Sequence, residues 1–310
     1  MNKIIVINKS VGMTSHDVVN QIRKIFKTKK VGHNGTLDPD ASGVLVVCIN
    51  EATKLVQFLE SDSKEYVAEV LIGKSTDTYD KTGNVLEEVF VENLTNEQVD
   101  NCLKYFIGKI RQVPPIYSAI KKDGKKLYEY ARNNEHVEIE PREVEIFELE
   151  RITDVERFDD FYKFTIKTHV SKGTYIRSLC VDIAEKLGFP GLMNNLVRTK
   201  SGVWTLDHSY TLQQIKNGDF TCYEMLDAVK QYPIVDDEEC IRKALNGMKI
   251  SPSKINELLG SKPSRIVIKN ENKLIAIYDF DSSIFGYRAV RVWNWLHLKN
   301  SNQCAIALLL

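Results

Sequence analysis

Asp38 stands in the run Val31-Gly32-His33-Asn34-Gly35-Thr36-Leu37-Asp38-Pro39-Asp40-Ala41-Ser42-Gly43, a carboxylate flanked by glycines and followed by a proline. Glycine permits the turn, and proline holds the residue before it extended, so the acid is presented on a loop that its own sequence stiffens. Such loops on rigid scaffolds are where catalysis concentrates. One reading is an Asx turn, with Asp38 and Asp40 bonding local amides. The other is a nucleophilic or general-base carboxylate. A phosphate cradle is disfavoured, because Ala68 stands where Gly73-Lys74-Ser75 needs its first glycine. Asp77-Thr78-Tyr79-Asp80 lacks the spacing and the distal glutamate of a calcium loop. Arg177 is the second candidate. It falls in the first turn of a strong helical pattern, where a cation opposes the dipole, and off the apolar stripe. A solvated surface arginine is one explanation; a carboxylate partner is the other, and an arginine beside Asp38 would hold that acid ionised and oriented.

The elements that must carry these groups are mixed. Ile4–Ile7, Val44–Ile49, Tyr66–Ile72 and Val85–Val91 read as strands, and Asn96–Phe106 as a helix capped near Thr95. Ser15 is expected to cap a helix with the stripe Val18, Val19, Ile22, Ile25 and Phe26, ending in the basic run Lys27–Lys30. Pro114-Pro115 stiffens an extended segment. Tyr162–Val170 alternates with the period of a half-buried strand. Thr174 is expected to cap the clearest helix, with Ile176, Leu179, Cys180, Ile183, Ala184 and Leu187 on one face and Gly188 closing it. Past Pro233 the composition shifts through Asp236-Asp237-Glu238-Glu239 to short strand patterns at 265–268, 274–278 and 285–292.

With 310 residues, 43% of them hydrophobic and 27% charged, the chain reads as globular, of one or two domains. Its longest apolar runs are far short of the ~20 residues of a membrane span, and its start lacks a secretory signal pattern, so a cytoplasmic protein is expected. Six singly spaced cysteines suggest reduced core residues, with neither zinc nor disulfides. The 42 basic residues balance the 42 acidic ones overall, but not locally. Residues 241–310 hold 11 basic against 4 acidic side chains, a net of +7. Residues 1–30 and 104–126 each hold seven basic residues against one acidic. Basic surfaces of this kind suit nucleic acid.

Taken together, Gly32–Pro39 with Gly43-Val44-Leu45, Lys64-Glu65-Tyr66, Pro114-Pro115-Ile116-Tyr117-Ser118-Ala119, Ser171-Lys172-Gly173-Thr174-Tyr175-Ile176-Arg177 and Leu196-Val197-Arg198 resemble the TruB-type tRNA pseudouridine synthases. The five motifs occur in the family's order and cover roughly residues 1–230. The resemblance implies cofactor-free, metal-free isomerisation of uridine 55 in the TΨC loop of tRNA. Asp38 would be the nucleophile, Arg177 its partner, and Tyr66 would stack on the base, with a further part in removing the C5 proton. His33 would contact the displaced nucleotide, while Tyr175 and Leu196 line the base pocket. Extrusion of a stacked base costs a few kcal/mol, which stacking and edge hydrogen bonds must offset. The implied fold is α+β: a mixed, largely antiparallel sheet flanked by helices over residues 1–232, plus a small β-barrel, PUA-like RNA-binding domain over 233–310. An insertion at about 108–142 would grip RNA. The partner is tRNA, through its T arm and acceptor stem, and a monomer is expected, with no membrane and no obligate protein partner.

Three departures from the family pattern stand out: Ser10 follows Lys9 where proline is usual, and Asn34 and Ser42 replace threonines. The stretch 294–310 matches nothing in the family and reads as a last strand or a frayed end. The rival functions are a non-catalytic tRNA-binding or folding chaperone, and a glycosidase using Asp38 and Asp40. Two carboxylates on one short loop are poorly placed to flank a sugar from both sides.

Overall fold

The computed structural model describes residues 2–59, 63–133 and 135–293; the 294–310 stretch lies outside the described residues. The chain runs β1 (Ile4–Lys9), α1 (Ser15–Ile25), β2 (Val31–His33), β3 (Ser42–Ile49), α2 (Val56–Leu59) and β4 (Lys64–Ile72), then the hairpin β5 (Lys74–Thr76) and β6 (Val85–Glu88), and α3 (Asn96–Leu103). Next come β7 (Gly108–Gln112), the two-residue strands β8 (Lys121–Lys122) and β9 (Lys125–Lys126), α4 (Leu127–Arg132), β10 (Arg142–Arg151), β11 (Glu156–Phe158) and β12 (Phe161–Val170). The remainder is α5 (Ile176–Leu187), β13 (Gly191–Ser201), β14 (Trp204–Thr205), α6 (Leu212–Asn217), β15 (Ile234–Val235), α7 (Glu238–Leu245), α8 (Pro252–Leu259), β16 (Arg265–Asn270), β17 (Lys273–Asp281) and β18 (Gly286–Val292).

The main sheet has the order β1-β3-β13-β4-β12-β10-β7. Every neighbouring pair is antiparallel except β13 with β3. β1 and β3 are buried on both faces, which is why they read as continuous apolar runs. Ile5, Ile7, Leu45, Val47 and Ile49 meet Val18, Val19 and Ile22 of α1, while Ile4, Val6, Val44, Val46 and Cys48 face a second core. β4 and β12 instead alternate. Tyr66, Ala68, Val70, Phe164, Ile166 and Val170 pack with Ile176, Leu179 and Ile183 of α5. Their outer face carries the cross-strand ion pairs Lys200–Glu65 (2.8 Å) and Lys163–Glu69 (3.9 Å).

Thr95 caps α3 as expected, whereas the other two expected helix caps move by one residue. Thr14, not Ser15, caps α1, its side chain accepting from the Asp17 amide while Asp17 bonds back. Ser15 is buried and occupied elsewhere. Helix α5 starts after Tyr175, and the Thr174 hydroxyl donates to the Ser171 carbonyl instead. The strand expected to reach Val91 ends at Glu88. The acidic run at 236–239 opens helix α7, with the Asp237 side chain accepting from the Cys240 amide.

The C-terminal module is a four-stranded sheet of order β15-β16-β17-β18 with α7 and α8 on one face. Its outer strands do not pair with one another, so among the described residues the sheet is open rather than closed into a barrel. Its other face is not solvated: Val267, Leu274, Ile277 and Trp293 share a core with Ala52, Leu55, Phe58 and Val229. The Trp293 indole also donates to the Glu51 carbonyl (3.0 Å). No helix among the described residues is long and apolar enough to cross a membrane. Of the cysteines, Cys48, Cys102, Cys180 and Cys240 are buried free thiols.

The parallel contact of β13 with β3 pairs Arg198 with Gly43, whose φ is +105°. A Cβ there would lie 2.2 Å from the Arg198 carbonyl oxygen. Gly43→Ala is therefore expected to destabilise the protein by at least ~2 kcal/mol. The urea midpoint measures this, and an unchanged midpoint would contradict the close approach.

Candidate active site

Asp38 and Arg177 lie 139 residues apart in the chain, yet form a two-point ion pair. Nε of the guanidinium is 2.9 Å from Oδ2 and Nη2 is 3.3 Å from Oδ1. Arg177 is buried despite lying off the apolar stripe, because its charge is compensated on every side. Nη1 donates to the Thr78 carbonyl and Nη2 to the Tyr117 carbonyl, both at 2.9 Å, and Asp80 Oδ2 is 4.0 Å from Nε. The Asp38 side chain keeps 36% of its surface open. The guanidinium is thus fixed and the carboxylate reachable.

The loop carrying Asp38 is pinned on both sides. The buried Ser15 hydroxyl accepts from the Leu37 amide (2.9 Å) and faces the Leu37 carbonyl (3.2 Å). Lys9, with no exposed surface, donates to the carbonyls of Ser10 (3.0 Å), Met13 (2.7 Å) and Pro39 (3.2 Å). At the loop's start, Asn34 donates to Ser201 Oγ (2.7 Å) and accepts from the Val46 amide (3.2 Å). Arg198 is buried and donates to the carbonyls of Val44 (2.7 Å) and Gly35 (3.2 Å). Asn34 therefore has a hydrogen-bonding role at the loop's start, and Lys9 holds the loop through three carbonyls.

These groups border a cleft of about 490 Å³. Its lining includes Asp38, Tyr66, Tyr175, Arg177 and Leu196, so five of the six residues singled out in the sequence converge there. Tyr66 projects from β4 and Leu196 from β13, both nearly buried. Tyr175 is held through its backbone by Gln112, whose side-chain oxygen accepts from its amide (2.8 Å) and whose nitrogen donates to its carbonyl (3.1 Å). His33 does not line the cleft: on β2, its Nδ1 accepts from the Gly35 amide (3.2 Å). Burial and the nearby Arg198 push its imidazolium below the usual range. Asp80, which the sequence offers only as part of a rejected calcium loop, caps its own turn, accepting from the hydroxyls of Thr78 (2.8 Å) and Thr82 (2.6 Å). Among the described residues, no group of three His, Cys, Asp or Glu side chains is placed to hold a metal.

Residues 23–176 match the TruB family pseudouridylate synthase N-terminal domain, and residues 177–247 match the tRNA pseudouridylate synthase B C-terminal domain. The fold superposes on the crystal structure of a Cbf5-Nop10-Gar1 complex with a TM-score of 0.69 at 26% identity, covering 94% of this chain and 84% of that chain. Fold and site together define a pseudouridylate synthase. The tRNA pseudouridine synthase B of Bacillus pumilus is 45% identical over 84% of this chain and 81% of its own length. That of Caldanaerobacter subterraneus is 44% identical over 90% of this chain and 91% of its own length. The chain belongs to the TruB family.

Burial pushes the Lys9 ammonium down to about 8, with Asp38 and Asp40 pulling the other way. Its native proton is therefore held less tightly than in the unfolded chain. The unfolded state binds more protons between pH 8 and 10.5, so the contribution of this group to stability rises with pH across that window. The thermal midpoint of the wild type is expected to gain on that of Lys9→Met as pH rises from 7 to 10. A constant difference would contradict the burial of the charge.

Proposed function

We propose that this protein isomerises uridine 55 of tRNA to pseudouridine without a cofactor, using Asp38 as the nucleophile on an extruded base. The observation that carries the reading is the open face of a carboxylate whose other side is locked to a buried arginine, inside a cleft walled by Tyr66, Tyr175 and Leu196. A protein that only binds RNA gains nothing from a fixed carboxylate, which repels phosphate. The relatives' names support tRNA as the substrate.

In this scheme the target nucleotide leaves the loop stack and its uracil enters the cleft, where the Tyr66 ring replaces the lost stacking. Asp38 adds to the substrate, and the N-glycosidic bond breaks. The uracil rotates while held, C5 bonds to C1′, the bond to Asp38 breaks and returns its carboxylate, the C5 proton passes to solvent, and N1 takes up a proton. Arg177 holds Asp38 aimed through both contacts. Its other hydrogen bonds go to backbone carbonyls, so it cannot swing into the cleft without breaking them. Tyr175 and Leu196 hold the base edge-on to Asp38. His33, outside the cleft lining, would act on the nucleotide displaced around the flipped base. Residues 1–232 form the catalytic part; the PUA-like module from 233, with its net positive charge, and the 108–142 insertion meet the backbone of the T arm and acceptor stem. The protein would work as a monomer in the cytoplasm. Because Trp293, Val267 and Leu274 belong to a shared core, the C-terminal contribution is best tested by charge substitutions rather than by truncation.

With tRNA tritiated at uridine C5, the wild type is expected to release one tritium per tRNA, without metal or cofactor. Asp38→Asn is expected to release none while binding tRNA within about threefold of wild type, since one loop carboxylate adds little to anion binding. Release by the variant, or collapse of its binding, would remove Asp38 from the nucleophile's role.

A further inference from the structure

Tyr175 lines the cleft from the position just before α5, where no side chain caps the helix. Its backbone is fixed from another element. The buried Gln112, last residue of β7, takes both polar groups of Tyr175, as a neighbouring strand would: Oε1 accepts from the amide (2.8 Å) and Nε2 donates to the carbonyl (3.1 Å). That carbonyl also accepts the first helical bond, from the Leu179 amide (3.0 Å). The chain after Gln112 stays laced to the same turn, since the Val113 carbonyl accepts from Ser178 Oγ (2.8 Å) and the Tyr117 carbonyl from Arg177 (2.9 Å). Only one orientation of the Gln112 amide serves Tyr175. Asp182 of α5 favours that orientation, because its carboxylate can only accept and it meets the nitrogen end of the same amide. Burial and the neighbouring Glu185 push Asp182 up to about 6, with Gln112 pulling the other way. Neither Gln112 nor Asp182 lines the cleft.

We propose that Gln112 is a positioning residue for the isomerisation: by holding both backbone groups of Tyr175 it sets where that ring stands against the uracil, and Asp182 fixes which end of its amide faces which partner. The proposal rests on the reading of the cleft as the site where a uracil is held and turned. A displacement of about 1 Å in a wall of such a site costs about hundredfold in rate. Affinity for tRNA, which is spread over contacts outside the cleft, is left nearly unchanged.

Gln112→Glu keeps the shape and the acceptor for the Tyr175 amide but loses both N–H groups, so its second oxygen faces the Tyr175 carbonyl and the Asp182 carboxylate. Protonation restores one donor. Asp182 and, beside it, Glu185 raise the new acid, while Arg142, opposite Gln112 in β10, acts the other way from an exposed position. Tyr79 stays neutral, its phenol pushed up by burial and by the same two acids. Single-turnover tritium release by this variant is expected to fall about hundredfold below wild type at pH 8.5 and to regain about tenfold, relative to wild type, at pH 6. In Gln112→Glu/Asp182→Asn the recovery should begin about one pH unit lower, because the facing charge is gone. Gln112→Met, which buries no charge, should lose about hundredfold at every pH, bind tRNA within about twofold of wild type, and exchange the Tyr175 amide about tenfold faster. A methionine variant within about threefold of the wild-type rate, a glutamate variant equally impaired at both pH values, or a fall in tRNA affinity as large as the fall in rate would overturn the proposal. A wild type that releases no tritium would overturn the enzymatic reading instead; unchanged exchange at Tyr175 would then overturn the hold by Gln112 as well.

Discussion

A guanidinium buried in the interior has to be compensated in full, and the architecture of the candidate active site follows from how Arg177 is compensated. Removing one partner from a buried ion pair typically costs several kcal/mol, because the remaining charge stays desolvated. Asp38 supplies the opposite charge, while Thr78 and Tyr117 supply carbonyls from two other segments. Three loops distant in sequence are thereby forced to meet at the first turn of α5. The cleft between them is a consequence of that meeting.

The second constraint falls on the loop holding Asp38. A carboxylate paired at 2.9 Å needs a backbone that does not drift, and the chain supplies this with buried polar groups rather than apolar packing. Ser15 and Lys9 hold the residues on either side of Asp38, and Asn34 and Arg198 hold the loop's approach. Each is a buried polar group whose partners are backbone or hydroxyl, which is how such groups are tolerated. The parallel approach of β13 to β3 needs Gly43, so the glycine flanking the Asp38 loop serves the sheet as much as the turn.

Periodicity was a good guide wherever one face of an element is wet. β12 alternates and α5 has a clean stripe, so both are legible. β13 and β10 are not legible as strands, because irregularities at Met193/Asn195, Arg198/Lys200 and Ile146/Glu148 break their alternation. Helix α7 is not visible in the sequence reading, where its acidic first turn marks only a shift in composition. The α1 cap shifts because Thr14 and Ser15 are both good capping residues, and the reciprocal bonding of Thr14 with Asp17 and the demand of Leu37 on Ser15 decide between them. Within the site, Asp38 and Arg177 were identifiable from loop chemistry and helix position. Asp80 was not, since its link to Arg177 exists only in three dimensions.

If the pair is the element on which catalysis depends, its two members act as a unit. The direct test is a double-mutant cycle on the single-turnover rate of tritium release, using Asp38→Asn, Arg177→Gln and the double variant. Each single change is expected to abolish nearly all of the rate, and the double variant to lose little beyond the worse single one. Independent, multiplicative losses would contradict the account, because they would mean that Arg177 serves the reaction other than through Asp38.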